Sequence, residues 1–155
     1  MVRPGALLYG ILPEPHLRNI LVVEPALRLL STVVYFKVVK QGAGVSYGHT
    51  WKAPQDTRIV TIPLGYGDGF SRRLSNRGNV LIRGNRYPIV GRVCMDQLMV
   101  DIGQGEAYNG DEVVLIGSDG RQRITVEEIA ELVDADPREV LVHLNLRIPR
   151  RYVGA

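Results

Sequence analysis

Cysteine, lysine and histidine are all scarce in this chain, and each shortage excludes a class of chemistry. One cysteine, Cys94, can form no internal disulfide, which fits a reducing, cytoplasmic setting and rules out a disulfide scaffold. The three histidines, His16, His49 and His143, share no metal-ligand spacing with one another or with Cys94, so no metal site is expected. Asp134, Asp136 and Glu139 lack the glycine and the spacing of a calcium loop and read as helix-start charge. No apolar run approaches the roughly 18 residues that cross a bilayer, and residues 1–5 do not open a secretion signal. Net charge is only +3, from 19 basic and 16 acidic residues, with its small basic clusters scattered, so neither nucleic acid nor a membrane is an expected partner.

What the chain does have is enough apolar residues for a core. At 155 residues and 45% hydrophobic content it can bury about two-thirds of its unfolded surface in one domain. Short β-branched runs at 26–39, 58–64, 80–83, 87–93, 98–102 and 112–116 alternate with Gly, Asn and Asp punctuation and read as strands. Arg83-Gly84-Asn85-Arg86 between two of them reads as a hairpin. Many short strands argue for a mainly β fold, a small Greek-key-like β-barrel, closed or partly closed, that hides its strand edges.

Two short helices are expected near the end. Thr125-Val126-Glu127-Glu128 has the form of a capping box, and Asp136-Pro137-Arg138-Glu139 offers an N-cap, a first-turn proline and a glutamate at the third position. Residues 1–10 read as a strand and turn that nothing earlier in the chain could pair.

Three polar-aromatic clusters punctuate the strands: Val45-Ser46-Tyr47-Gly48-His49-Thr50-Trp51, Gly65-Tyr66-Gly67-Asp68-Gly69, and Ile89-Val90-Gly91-Arg92-Val93-Cys94-Met95-Asp96-Gln97. Clusters of this kind on a rigid β scaffold are where binding residues concentrate. Words and spacing together resemble the carboxyl-terminal domain of bacterial alanine racemase, over nearly the whole chain. The resemblance implies a pyridoxal-phosphate (PLP) enzyme that interconverts L-alanine and D-alanine for peptidoglycan, working as a homodimer. It implies that residues 1–23 are the last strand and linker of a preceding α/β barrel, and that 24–155 are the β-barrel domain. The rest of that barrel is not in this sequence, so the chain is expected to be a domain-sized piece, inactive by itself.

The resemblance also distributes roles. Racemisation needs an acid/base group on each face of the α-carbon, with the cofactor as electron sink. Tyr47 corresponds to the base on the L-alanine face, reaching into the partner's barrel. Arg3 corresponds to the arginine on the pyridine nitrogen; a guanidinium keeps its own protons and so does not protonate the ring. The main-chain N–H groups of Gly5 and Ala6 correspond to a phosphate-binding turn, Met95 to the residue whose amide holds the substrate carboxylate, Asp96 to the rim beside it, and Tyr66 to a gate that restricts access to small substrates. Where the family carries a phosphate-contacting tyrosine, this chain has Arg138. An arginine at a helix start opposes the dipole unless an anion compensates it, so Arg138 reads either as a replacement phosphate ligand or as a solvated side chain.

None of the three lysines, Lys37, Lys40 and Lys52, stands in a cofactor-lysine context; six residues separate Lys40 from Tyr47. Covalent attachment of PLP to this chain is therefore not expected. Two other functions stay open: a racemase of serine or of a broader set of amino acids, and a non-catalytic binding or dimerisation module.

Overall fold

The computed structural model of the protein describes residues 1–12 and 14–154. Ten strands and two α-helices form its frame: β1 Leu29–Thr32, β2 Tyr35–Val39, β3 Gly44–Val45, β4 Trp51–Lys52, β5 Thr57–Ile62, β6 Asn79–Ile82, β7 Asn85–Pro88, β8 Leu98–Gly103, β9 Glu112–Asp119, β10 Gln122–Ile124, α1 Val126–Val133 and α2 Pro137–His143. The main sheet runs β1-β9-β6-β7 with β10 on β9; a second sheet runs β2-β5-β8; β3 and β4 form a ribbon of their own. All the pairings are antiparallel.

The expected closed or partly closed barrel takes the form of separate sheets joined at two seams. One seam is the run predicted as a single strand over 26–39. It breaks at Val33 and Val34, whose N–H groups donate to Asp111 in one direction and Thr61 in the other, so β1 and β2 serve different sheets. The second seam is the single bridge from Ile89 to Val100, beyond the point where β7 ends at Pro88. There the Ile89 N–H still donates to the Gly78 carbonyl, while the Val90 N–H turns to the Met99 carbonyl, so the run expected over 87–93 is divided between two sheets.

Burial follows the strand pattern. Val60, Ile62, Leu81, Ile82, Leu98, Val100 and Leu115 are fully buried in one continuous core between the sheets. The β6–β7 hairpin turns on Arg83 and Gly84, both at positive φ, as a two-residue loop requires to match strand twist. In α1, Val126, Ile129, Ala130 and Val133 recur on one face and close the core. Thr125 Oγ1 accepts the Glu128 N–H, as the capping pattern predicts, but the Glu128 carboxylate does not turn back to complete the box: it pairs with Arg86 at 2.5 Å.

The chain's first segment differs from expectation. Residues 5–9 form a 3-10 turn, Gly5–Tyr9, rather than a strand, and no strand precedes Leu29 among the described residues. A strand needs a neighbour to take its N–H and C=O groups, and a local turn satisfies some of them within itself: Leu7 donates to Pro4 and Ile11 to Ala6.

Candidate functional site

The Tyr47 cluster sits at the tip of the β3–β4 ribbon. Two residue pairs cannot hold a hairpin alone, so the ribbon is anchored by packing: Val45 is buried against Ile59 and Val90, with Trp51 and Met99 beside them. At the tip, Ser46 adopts φ 64° and ψ −179°, a region that costs a non-glycine residue free energy. Ser46 Oγ donates to the main-chain carbonyl of Arg92 at 2.7 Å. Gly91 lies opposite with φ 73°, and a side chain on it would stand 2.6 Å from Ser46 Cβ, so only glycine admits the approach. Tyr47 follows, 72% exposed, in the short turn Tyr47–His49. The Arg92 guanidinium reaches over the same turn, 3.4 Å from where a Gly48 side chain would stand.

The second and third clusters are bound to each other. Tyr66 N–H donates to the Cys94 carbonyl at 3.0 Å and Gly67 N–H to the Met95 carbonyl at 2.9 Å. That contact is close enough that a Gly65 side chain would fall 2.2 Å from the Cys94 oxygen. Asp68, buried, accepts the Gly65 N–H at 2.9 Å and closes the loop on itself. Arg147 then spans both loops, donating to Asp96 at 2.6 Å and approaching Asp68 at 3.5 Å; these carboxylates hold its guanidinium still more firmly protonated, the Asp96 hydrogen bond foremost. Among the described residues no acceptor meets the Met95 main-chain N–H.

The structure thus gathers Tyr47, Tyr66, Met95 and Asp96 around the segment 91–97. It does not join Arg3, Gly5, Ala6 or Arg138 to them by any hydrogen bond or ion pair among the described residues. Gly5 and Ala6 open the 3-10 turn, where the first N–H groups have no partner within the turn, and nothing lies within 4 Å of a side chain built on Gly5. The space beside these two N–H groups is open.

Arg138 is paired within its own helix start. The anion that compensates its charge at the helix start is the N-cap itself: Asp136 Oδ1 takes Arg138 Nε at 2.7 Å and Oδ2 takes Nη2 at 2.5 Å. Lys40 pairs with Asp56 at 2.6 Å on the surface, and that hydrogen bond raises its pKa. Among the described residues no group of three or more His, Cys, Asp or Glu side chains could hold a metal ion, and no helix is long and apolar enough to cross a membrane.

Three residues of this site were not singled out by sequence: Ser46, Arg92 and Arg147. Ser46 and Arg92 lay inside words already noted, whereas Arg147 is 51 residues from Asp96 and nothing local signals the pair.

The profile of a family described as "Alanine racemase, C-terminal domain" matches residues 26–152. An alanine racemase of Halothermothrix orenii is 46% identical over 98% of this chain and 40% of its own length. Among solved structures, alanine racemase from Bacillus anthracis with bound L-Ala-P superposes with a TM-score of 0.92 at 37% identity, over 97% of this chain and 39% of that one. Alanine racemase from Bartonella henselae with covalently bound pyridoxal phosphate superposes at 0.87 and 30% identity, over 96% and 40%. The chain spans about two-fifths of the length of the relatives it matches.

Proposed function

The chain belongs to the alanine racemase family, as its C-terminal domain, and from that premise we propose that it supplies one face of a PLP-dependent amino-acid racemase site acting on L- and D-alanine. One arrangement carries the reading. The segment 91–97 is hydrogen-bonded to Ser46, next to Tyr47, through the Arg92 carbonyl, and to Tyr66 and Gly67 through the carbonyls of Cys94 and Met95. A proton-transferring phenol, a gate phenol and an amide donor for a carboxylate are thereby held on one frame.

When bound, PLP supplies the electron sink that makes the α-proton of an amino acid acidic. The residues of this chain do the rest. The Tyr47 oxygen takes the α-proton on the L-alanine face and returns one there. The unpaired Met95 N–H orients the substrate carboxylate, and Tyr66 limits side-chain size. The turn at Gly5 and Ala6 holds the phosphate, and Arg3 donates to the ring nitrogen. Arg138 keeps its Nη1 edge outside the Asp136 pair, and that edge is the one a phosphate would take. Residues 1–23 belong to the end of a preceding α/β barrel and 24–155 to this domain. The working enzyme is a cytoplasmic homodimer in which Tyr47 serves the partner's site, and its D-alanine feeds peptidoglycan.

The test is Tyr47→Phe in a full-length racemase carrying this domain. Solvent exchange of the α-proton should fall by about two to four decades from L-alanine and little from D-alanine. Equal losses from both enantiomers would make Tyr47 a structural residue.

A further inference from the structure

Asn76 lies outside all three clusters, in the turn that follows the 3-10 segment Arg72–Leu74, yet it reaches two of them. Its Oδ1 accepts the Gly91 N–H at 2.6 Å, and its Nδ2 donates to Thr50 Oγ1 at 3.1 Å. Gly91 is the residue against which Ser46 packs, and Thr50 is the far end of the Tyr47 turn. Five non-glycine residues among those described have positive φ, and three of them, Ser46, His49 and Asn76, are in this one network. Backbone in such conformations persists only where its surroundings over-determine it. Here the fixing contacts come from both sides: Ser46 Oγ to the Arg92 carbonyl at one end of the turn, and Asn76 to Thr50 at the other.

We propose that Asn76 is a positioning residue for Tyr47: its amide clamps Gly91 to Thr50, and together with the Ser46 hydroxyl it fixes the direction in which the exposed phenol leaves the turn. The inference rests on Tyr47 being the base for one enantiomer. Tyr47 is largely exposed and has little packing of its own to orient it. Its direction is therefore inherited from the backbone of residues 46–50, and a misplacement of about 1 Å at a reacting group can cost on the order of a hundredfold in rate.

The variant that separates positioning from folding is Asn76→Gly. Glycine accepts the left-handed backbone at φ 58° without penalty, so the turn is retained while both side-chain hydrogen bonds are lost. In a full-length racemase carrying this domain, Asn76→Gly should slow α-proton exchange from L-alanine by about ten- to hundredfold with KM nearly unchanged. Exchange from D-alanine should stay within about twofold; net racemisation, tied to one equilibrium constant, must fall equally in both directions. In the 155-residue chain, hydrogen exchange at the Gly91 amide should accelerate by about tenfold or more. Asn76→Asp should restore both readouts, because a carboxylate accepts from the Gly91 N–H and from the Thr50 hydroxyl. Ser46→Gly, which keeps the backbone and removes the hydroxyl, should reproduce the enantiomer asymmetry. Unchanged Gly91 exchange in Asn76→Gly, or equal losses from both enantiomers, overturns the clamp even where Tyr47→Phe behaves as a one-face base. A symmetric Tyr47→Phe overturns the base and, with it, the clamp.

Discussion

Asp136 Oδ1 accepts both the main-chain N–H of Arg138, at 2.8 Å, and its Nε, at 2.7 Å. One carboxylate therefore caps α2 and neutralises the cation that follows it. The guanidinium hydrogen bond first, and the N–H second, hold the Asp136 carboxyl at about 2, well below its ordinary value of 3.8.

That depression sets a pH dependence. A carboxyl whose pKa is lower folded than unfolded stabilises the fold above the unfolded value, and the contribution is lost as pH falls through the folded one. Thermal melts of the 155-residue chain should therefore show Arg138→Ala below the parent at pH 6 and the gap closing between about pH 4 and 2. A gap that persists at pH 2 would show that the arginine acts by packing. In the full-length holoenzyme, weaker PLP retention by Arg138→Ala would place the free Nη1 edge on the phosphate; unchanged retention would leave the phosphate to Gly5 and Ala6.

Gly65→Ala tests the joint between the second and third clusters. The added methyl would meet main-chain oxygens of Cys94 and Met95 at 2.2 and 2.4 Å, and backbone on both sides cannot swing away like a side chain. The expected cost is about 1–3 kcal/mol by denaturant unfolding. On the proposed role of the Met95 N–H, the displaced amide should also raise KM for alanine in a full-length racemase carrying this domain. An unchanged midpoint would mean the joint is looser than these distances.

Asp68→Ala removes the buried acceptor of the Gly65 N–H and one partner of Arg147. A loss of about 1–3 kcal/mol is expected for the orphaned amide, and Asp68→Asn, which keeps an acceptor oxygen, should lose less. Urea unfolding of the two variants side by side decides it; equal losses would point to the charge rather than the hydrogen bond.

No lysine of this chain should capture PLP. Lys40 is committed to Asp56 on the surface with a raised pKa, and the neutral amine that attacks an aldehyde is correspondingly rare. Borohydride reduction of the 155-residue chain with equimolar PLP, followed by mass spectrometry, should find no single lysine modified stoichiometrically. A specific adduct at Lys40 would reverse the assignment.

The strand runs, both helix starts and the three clusters were legible in sequence because they are local. A β-branched run, a capping threonine and a proline after aspartate act over a few residues, and β5, α1 and α2 follow from them. The break of 26–39 into β1 and β2 was not legible, since nothing in Val33-Val34 shows that one will donate to Asp111 and the other to Thr61. The same holds for the site. Sequence singled out Tyr47, Tyr66 and Met95 as words, but their common frame depends on hydrogen bonds from Ser46, Tyr66 and Gly67 to carbonyls of Arg92, Cys94 and Met95. The charge at Arg138 was evident, and sequence left it between a phosphate and solvent; its pairing with Asp136, two residues away, was not legible, because a side chain's direction is not written in its position. Sequence alone determined most of the strand runs, both helix starts and which residue types are available for chemistry. Only the tertiary structure decided which of them share a frame, since that rests on long-range contacts such as Asn76 with Gly91 and Arg147 with Asp96, for which the local sequence carries no period and no spacing.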